Sequence, residues 1–162
     1  MDAGLHGAKK VSKKPKRDKH GWNSYENYKA LQDDCLANHP FIERSETPLL
    51  EVFPFEYEGE LFLYICGEIH CCNNVIVSIT KYLETKETKG GRLMVRCFSY
   101  RYNAKISGEY TILRYDNGHT PDDYHRHVFN VNTGDLLTRE SLCREDFPIL
   151  PEILDELEGM FD

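Results

Sequence analysis

Residues 114–129, RYDNGHTPDDYHRHVF, concentrate the side chains best suited to proton transfer. His119, His125 and His127 follow closely on Arg114 and Asp116. An imidazole with an ordinary pKa of about 6.5 populates both protonation states near neutrality, so two of them can take and give a proton in one reaction. Three chemistries fit this set. The first is metal-independent cleavage of RNA: one histidine takes the 2′-hydroxyl proton and another protonates the leaving oxygen, while Arg114 stabilises charge on the phosphate with Asp116 assisting. That reaction needs no cofactor. In the second, His125 and His127 with His119 or Asp116 hold zinc or another transition metal. In the third, the histidines are structural, hydrogen-bonded at a strand edge or an interface. Spacing alone leaves all three open.

These groups act together only if the backbone brings them together. In an extended strand, residues two apart share a face, so His125, His127 and Phe129 project together while Arg126 and Val128 point away. On the preceding strand Ile112, Arg114 and Asp116 share a face, with Leu113 and Tyr115 on the other. Antiparallel pairing of the two strands sets Arg114 or Asp116 beside a histidine and puts His119 in the turn at the strand mouth. Substrate contacts are expected from Tyr115, Asn117, Tyr124 and Arg126 in this segment, and from Arg96, Arg101 and Tyr102 upstream. In RCFSYRYNAK, three cations (Arg96, Arg101, Lys105) interleave with Phe98, Tyr100 and Tyr102. That pattern suits a face on which RNA bases stack, and packing inside a sheet core explains the aromatics equally well. His70, Cys71 and Cys72 in EIHCCNN are adjacent rather than spaced like zinc ligands, and the stretch reads as a polar hairpin turn.

The surrounding sequence supplies the frame. A capping box at Asn23 and Glu26 opens a short amphipathic helix through Tyr28, Leu31, Cys35 and Leu36, which ends at Asn38 before His39 and Pro40. From Leu49 the period falls to two. LLEVFPFEYEG, ELFLYICGEIH, NNVIVSITKYLETKE, RLMVRCFSYRYNAKI, EYTILRYDN and YHRHVFNV read as strands, with turns at Thr88–Gly91, Ser107–Gly108 and Asn132–Gly134. FPILPEILDELEGMF reads as a closing helix with Pro151 at its start and Ile153, Leu154, Leu157 and Phe161 as its apolar stripe. The predicted fold is α+β: an antiparallel meander of five or six strands, with an N-terminal and a C-terminal helix packed on one face.

With 162 residues, 40% hydrophobic and 29% charged, the chain fits one folded domain rather than a fibrous or disordered protein. No apolar run reaches the roughly 20 residues of a membrane helix, and the basic N-terminus lacks the apolar stretch of a secretory signal, so the expected location is cytoplasmic. The six cysteines are expected to stay reduced, with Cys66 and Cys97 buried as small hydrophobes. Charge is unevenly spread: residues 1–20 hold seven Lys/Arg against two Asp, an excess of +5 in a chain of net −7, which leaves −12 on the remainder. Residues 1–20 are accordingly expected to be a flexible basic arm, and 21–162 a single domain with a helical extension over 21–48 and a core over 49–162.

The core resembles a known family. A tyrosine-rich strand leading into Arg114-Tyr115-Asp116-Asn117 with the following His119, then His125-x-His127, then a short terminal helix, is similar to the TumE-type toxins of bacterial type II toxin–antitoxin modules. The resemblance covers about residues 60–162. Tyr124 stands where that family more often has another histidine, and the first 50 residues or so have no counterpart in it. The resemblance implies a small cytoplasmic toxin that acts on RNA or translation and is neutralised by a helix-turn-helix antitoxin encoded beside it. An alternative is a non-enzymatic protein-interaction module with structural histidines, or a metal-dependent hydrolase.

Overall fold

Strict alternation in Val75–Glu87 shows how the sheet is built: Val75, Val77, Ile79, Lys81 and Leu83 are buried, and the residues between them are partly exposed. One face of this strand therefore belongs to a core and the other meets solvent. The computed structural model describes residues 18–45, 48–118 and 123–162. In chain order its strands are β1 (Asn23–Ser24), β2 (Leu49–Tyr57), β3 (Glu60–His70), β4 (Val75–Glu87), β5 (Leu93–Ile106), β6 (Thr111–Asp116), β7 (Tyr124–Phe129) and β8 (Leu136–Leu142). Helices α1 (Tyr25–Asn38) and α2 (Leu150–Gly159) flank the sheet in sequence. The strands form one antiparallel sheet in the order β2-β3-β4-β5-β6-β7-β8, and β1 pairs with the start of β5.

The fold is α+β as the sequence predicts, with eight strands rather than five or six. The two additional ones lacked a strand signature. β1 is a two-residue pairing at the entrance to α1. In β8, LLTRESL, all but the last residue is exposed, so no apolar alternation marks it. The 3₁₀ turn Cys72–Asn74 joins β3 to β4, as expected of EIHCCNN, with Asn73 and Asn74 at positive φ.

Helix α1 is capped by Ser24, whose hydroxyl accepts the Asn27 amide at 3.1 Å, rather than by Asn23. Asn23 instead accepts from the Asn27 side chain at 2.9 Å. In α2, Glu152 accepts the Ile149 amide at 3.0 Å, and Ile153, Leu154 and Leu157 enter the core. Phe161 lies beyond the end of α2 and stacks on Phe41 at 6.1 Å. Tyr28 of α1 lies under the Lys81 ammonium at 5.1 Å from its ring centre, and Glu156 of α2 accepts from Tyr115 at 2.5 Å.

Phe147, fully buried, sits at the centre of the aromatic half of this core, 4.9 Å from the Tyr124 ring, 5.0 Å from Tyr100 and 5.7 Å from Tyr115. His20 joins it. Its Nε2 donates to the Phe147 carbonyl at 2.6 Å, which leaves Nδ1 to accept from the Tyr100 hydroxyl at 2.8 Å. Residues 18–20, which the composition groups with the basic arm, are thus held in place: Asp18 pairs with Arg144 at 2.9 Å and Lys19 with Glu152 at 2.8 Å. Residues 1–17 of that arm lie outside the described residues. Cys97 is buried as expected, while Cys66 is only half-buried, facing away from the core.

Candidate functional site

The register of the β5–β8 ladders decides which side chains meet. Across β6 and β7, Arg114 lies opposite His127 and Asp116 opposite His125. Directly opposed residues share a face, so all four project together. On β5, Arg101 lies opposite Asp116 and Asn103 opposite Arg114; on β8, Ser141 opposes His125 and Arg139 opposes His127. A band of polar and basic side chains therefore crosses four strands on the face turned away from Phe147.

Within the band, the His125 and His127 rings stack nearly parallel, 6.1 Å between centres and 14° between planes. Asp123, two residues upstream on the same side of the strand, places its Oδ2 3.0 Å from His125 Nε2, an ion pair when the imidazole is protonated. Asp116 is buried. Its Oδ2 accepts from Arg114 Nε at 2.7 Å and its Oδ1 accepts the Gly118 amide at 2.9 Å. Gly118 has φ +55°, and a Cβ there would lie 3.2 Å from both His125 Nε2 and Asp123 Oδ2, so the turn needs glycine for its backbone and for the room it leaves the pair.

His127 differs from its neighbour. Its Nε2 is shut off from solvent and has no hydrogen-bond partner. Burial pushes its pKa below the ordinary histidine value, and the charges of Arg114, Arg139 and His125 push the same way against the opposing pull of Asp116. A buried polar nitrogen left unpaired costs about 1–3 kcal/mol, so a neutral imidazole held this way is a proton acceptor kept ready at a cost in stability.

The other predicted contacts separate into two groups. Tyr102, Tyr115 and Tyr124 are buried on the core side of the sheet. Arg126, also on that side, donates to Tyr115 at 2.9 Å, to Glu140 at 2.9 Å and to Glu156, tying β7 to α2. Asn117 is buried; it accepts the Tyr100 amide at 3.0 Å and donates to the Phe98 carbonyl at 2.7 Å. These residues hold the frame behind the site. Arg101 stands in the band, whereas Arg96 lies five residues away along β5, about 17 Å at strand rise, where it pairs with Glu84 at 3.2 Å. His119 is outside the described residues.

Asp123, Asn103, Arg139 and Ser141 complete the band without forming a motif of their own in the sequence. The same two-residue alternation that groups His125 with His127 reaches back to Asp123. Arg139 was hidden because β8 shows no strand pattern and because the register shift between Val128 and Phe129 sets it, rather than Thr138, opposite His127. Among the described residues, no group of three or more His, Cys, Asp and Glu is arranged to hold a metal ion. No helix among them is long and apolar enough to cross a membrane. No family model, curated protein or solved structure matches the chain.

Proposed function

We propose that the protein is a toxin-like ribonuclease of a toxin–antitoxin module that cleaves RNA without metal through His125 and His127. The observation that carries this reading is the β6–β7 register, which sets Arg114 against His127 and Asp116 against His125 on one face. His127, neutral and unpartnered at Nε2, takes the proton from the 2′-hydroxyl once the side chains over it part. His125, with the Asp123 carboxylate beside its ring, supplies a proton to the leaving oxygen. Ring centres 6.1 Å apart equal about two hydrogen bonds laid end to end, so one phosphodiester can serve both. Arg114 neutralises charge on that phosphate, with Arg101 and Arg139 beside it. A helix-turn-helix antitoxin is the neutralising partner that the resemblance implies.

The test is RNA cleavage by the full chain with and without EDTA, comparing wild type with His125→Ala and His127→Ala. Each substitution should slow cleavage by roughly 100-fold or more, and chelator should leave the wild type unchanged. Equal cleavage by wild type and variants would remove the histidines from the reaction. Loss of wild-type activity in EDTA, restored by zinc or manganese, would favour the metal-dependent alternative, with His119 as a third ligand beside His125 and His127.

A further inference from the structure

The face that bears the histidines also bears a contiguous aromatic patch toward the opposite edge of the sheet. Its members are Phe53 and Phe55 on β2, Phe62 and Tyr64 on β3, Tyr82 on β4 and Phe98 on β5. Register makes them neighbours: Phe53 opposes Tyr64, Phe55 opposes Phe62, and Tyr64 opposes Tyr82. Ring centres are 4.9 Å apart for Tyr64–Tyr82, 5.6 Å for Phe55–Phe62 and 5.9 Å for Phe62–Phe98. Phe53 and Phe55 remain 46% and 37% exposed. A soluble protein seldom leaves so many connected rings in water unless something binds them.

The charges around the patch say what binds. The Trp22 ring meets two cations, Lys86 at 4.1 Å and Arg96 at 4.8 Å from its centre. From there Arg101, Arg114 and Arg139 continue across the same face to the histidines. The chain as a whole is acidic, yet this route is locally basic: the acids along it are Glu84, paired with Arg96, Asp116, paired with Arg114, and Asp123 beside His125, while Glu51 and Glu68 share the face at the patch end of β2 and β3. Rings beside a file of guanidinium groups complement a ligand with flat bases and a regular row of phosphates.

We propose that the aromatic patch is a base-stacking platform for single-stranded RNA, whose phosphates follow Arg101 and Arg114 toward His125 and His127. This rests on the RNA reading above and adds the strandedness of the substrate. From β4 to β7 is three strand spacings, about 14 Å, a distance a short run of nucleotides bridges. Duplex RNA is a poor ligand here, because its bases are stacked on one another and present no free ring face.

Binding is measured by fluorescence anisotropy with a labelled 2′-O-methyl uridine 12-mer, which lacks the hydroxyl needed for cleavage, against a duplex of equal length. The single strand should bind the wild type at least tenfold more tightly than the duplex. Phe53→Ser/Phe55→Ser should weaken single-strand binding by about 10- to 100-fold, the loss of one to two stacked bases. Phe53→Leu/Phe55→Leu keeps apolar volume, so it should retain the melting temperature and still lose most of the affinity. Wild-type affinity in both variants, equal binding of duplex, or no binding by the wild type overturns the proposal. So does a patch substitution that only converts a dimer to a monomer, which would assign the face to a second copy. Patch-dependent binding without cleavage leaves the platform standing and removes the acid–base reading; cleavage of single-stranded RNA undiminished by the patch substitutions does the reverse.

Discussion

His127 and His20 illustrate how burial tunes an imidazole to two ends. For His127 the folded pKa is depressed by burial and by Arg114 and Arg139, so a general base there is already deprotonated below the ordinary histidine value. The rising limb of kcat/KM against pH should therefore lie below about pH 6.5. Arg139→Gln removes one of the repelling charges and should move that limb to higher pH, as read from cleavage rates between pH 4.5 and 7.5. For His20 the cause is again burial first, with the Phe147 carbonyl opposing it. A folded pKa below the unfolded one means that the unfolded chain binds more protons as pH falls. The stability these neutral histidines contribute is thus complete above about pH 6.5 and is lost below it. Urea midpoints should fall from pH 7.5 to 5.5, and His20→Gln should flatten that dependence; an unchanged slope would show that His20 does not couple to folding.

At the scale of elements, the site is assembled by strand register and by irregularities within strands. The β4–β5 pairing shifts between Tyr82, opposite Ser99, and Leu83, opposite Cys97. That bulge reverses parity along β5. Phe98 falls on the exposed face and Tyr100 and Tyr102 in the core, although the three are spaced evenly in sequence. Asn117 sustains the distortion by bonding the backbone of Phe98 and Tyr100. Asn117→Ala leaves a buried amide and carbonyl unpaired and should cost about 2–4 kcal/mol in urea unfolding. Arg126→Met tests the opposite side of the sheet. Losing its bonds to Tyr115 and Glu156 should cost about 1–2 kcal/mol, on a pair largely but not fully shielded from solvent, while RNA cleavage per folded molecule stays as in the wild type. A selective loss of cleavage would instead return Arg126 to the site.

For the whole molecule, the question is how a chain of net charge −7 approaches a polyanion. The basic band supplies a local answer at short range. Three guanidinium groups, Arg101, Arg114 and Arg139, neutralising three phosphates of a single strand give a salt slope of about −2.1, so raising NaCl from 50 to 200 mM should weaken binding about 20-fold. A dissociation constant indifferent to salt would mean that the band does not meet phosphate. If RNA is the ligand, as proposed above, the acidic remainder repels it elsewhere and favours approach to this one face.

Sequence alone determined the strand period from Leu49 onward, the two helices, the α+β class and the grouping of His125 with His127, because alternation and helical spacing are local properties of the chain. It also showed that Arg114 and Asp116 share a side. What only the tertiary structure decided is which faces coincide. Partner strand, register and bulge together placed Arg139 beside His127, separated Tyr102, Tyr115, Tyr124 and Arg126 from the histidines, and joined rings of four strands into one patch. A one-residue change of register or a single bulge moves every following side chain through the sheet, and that choice is made by pairing between distant segments rather than within any one of them.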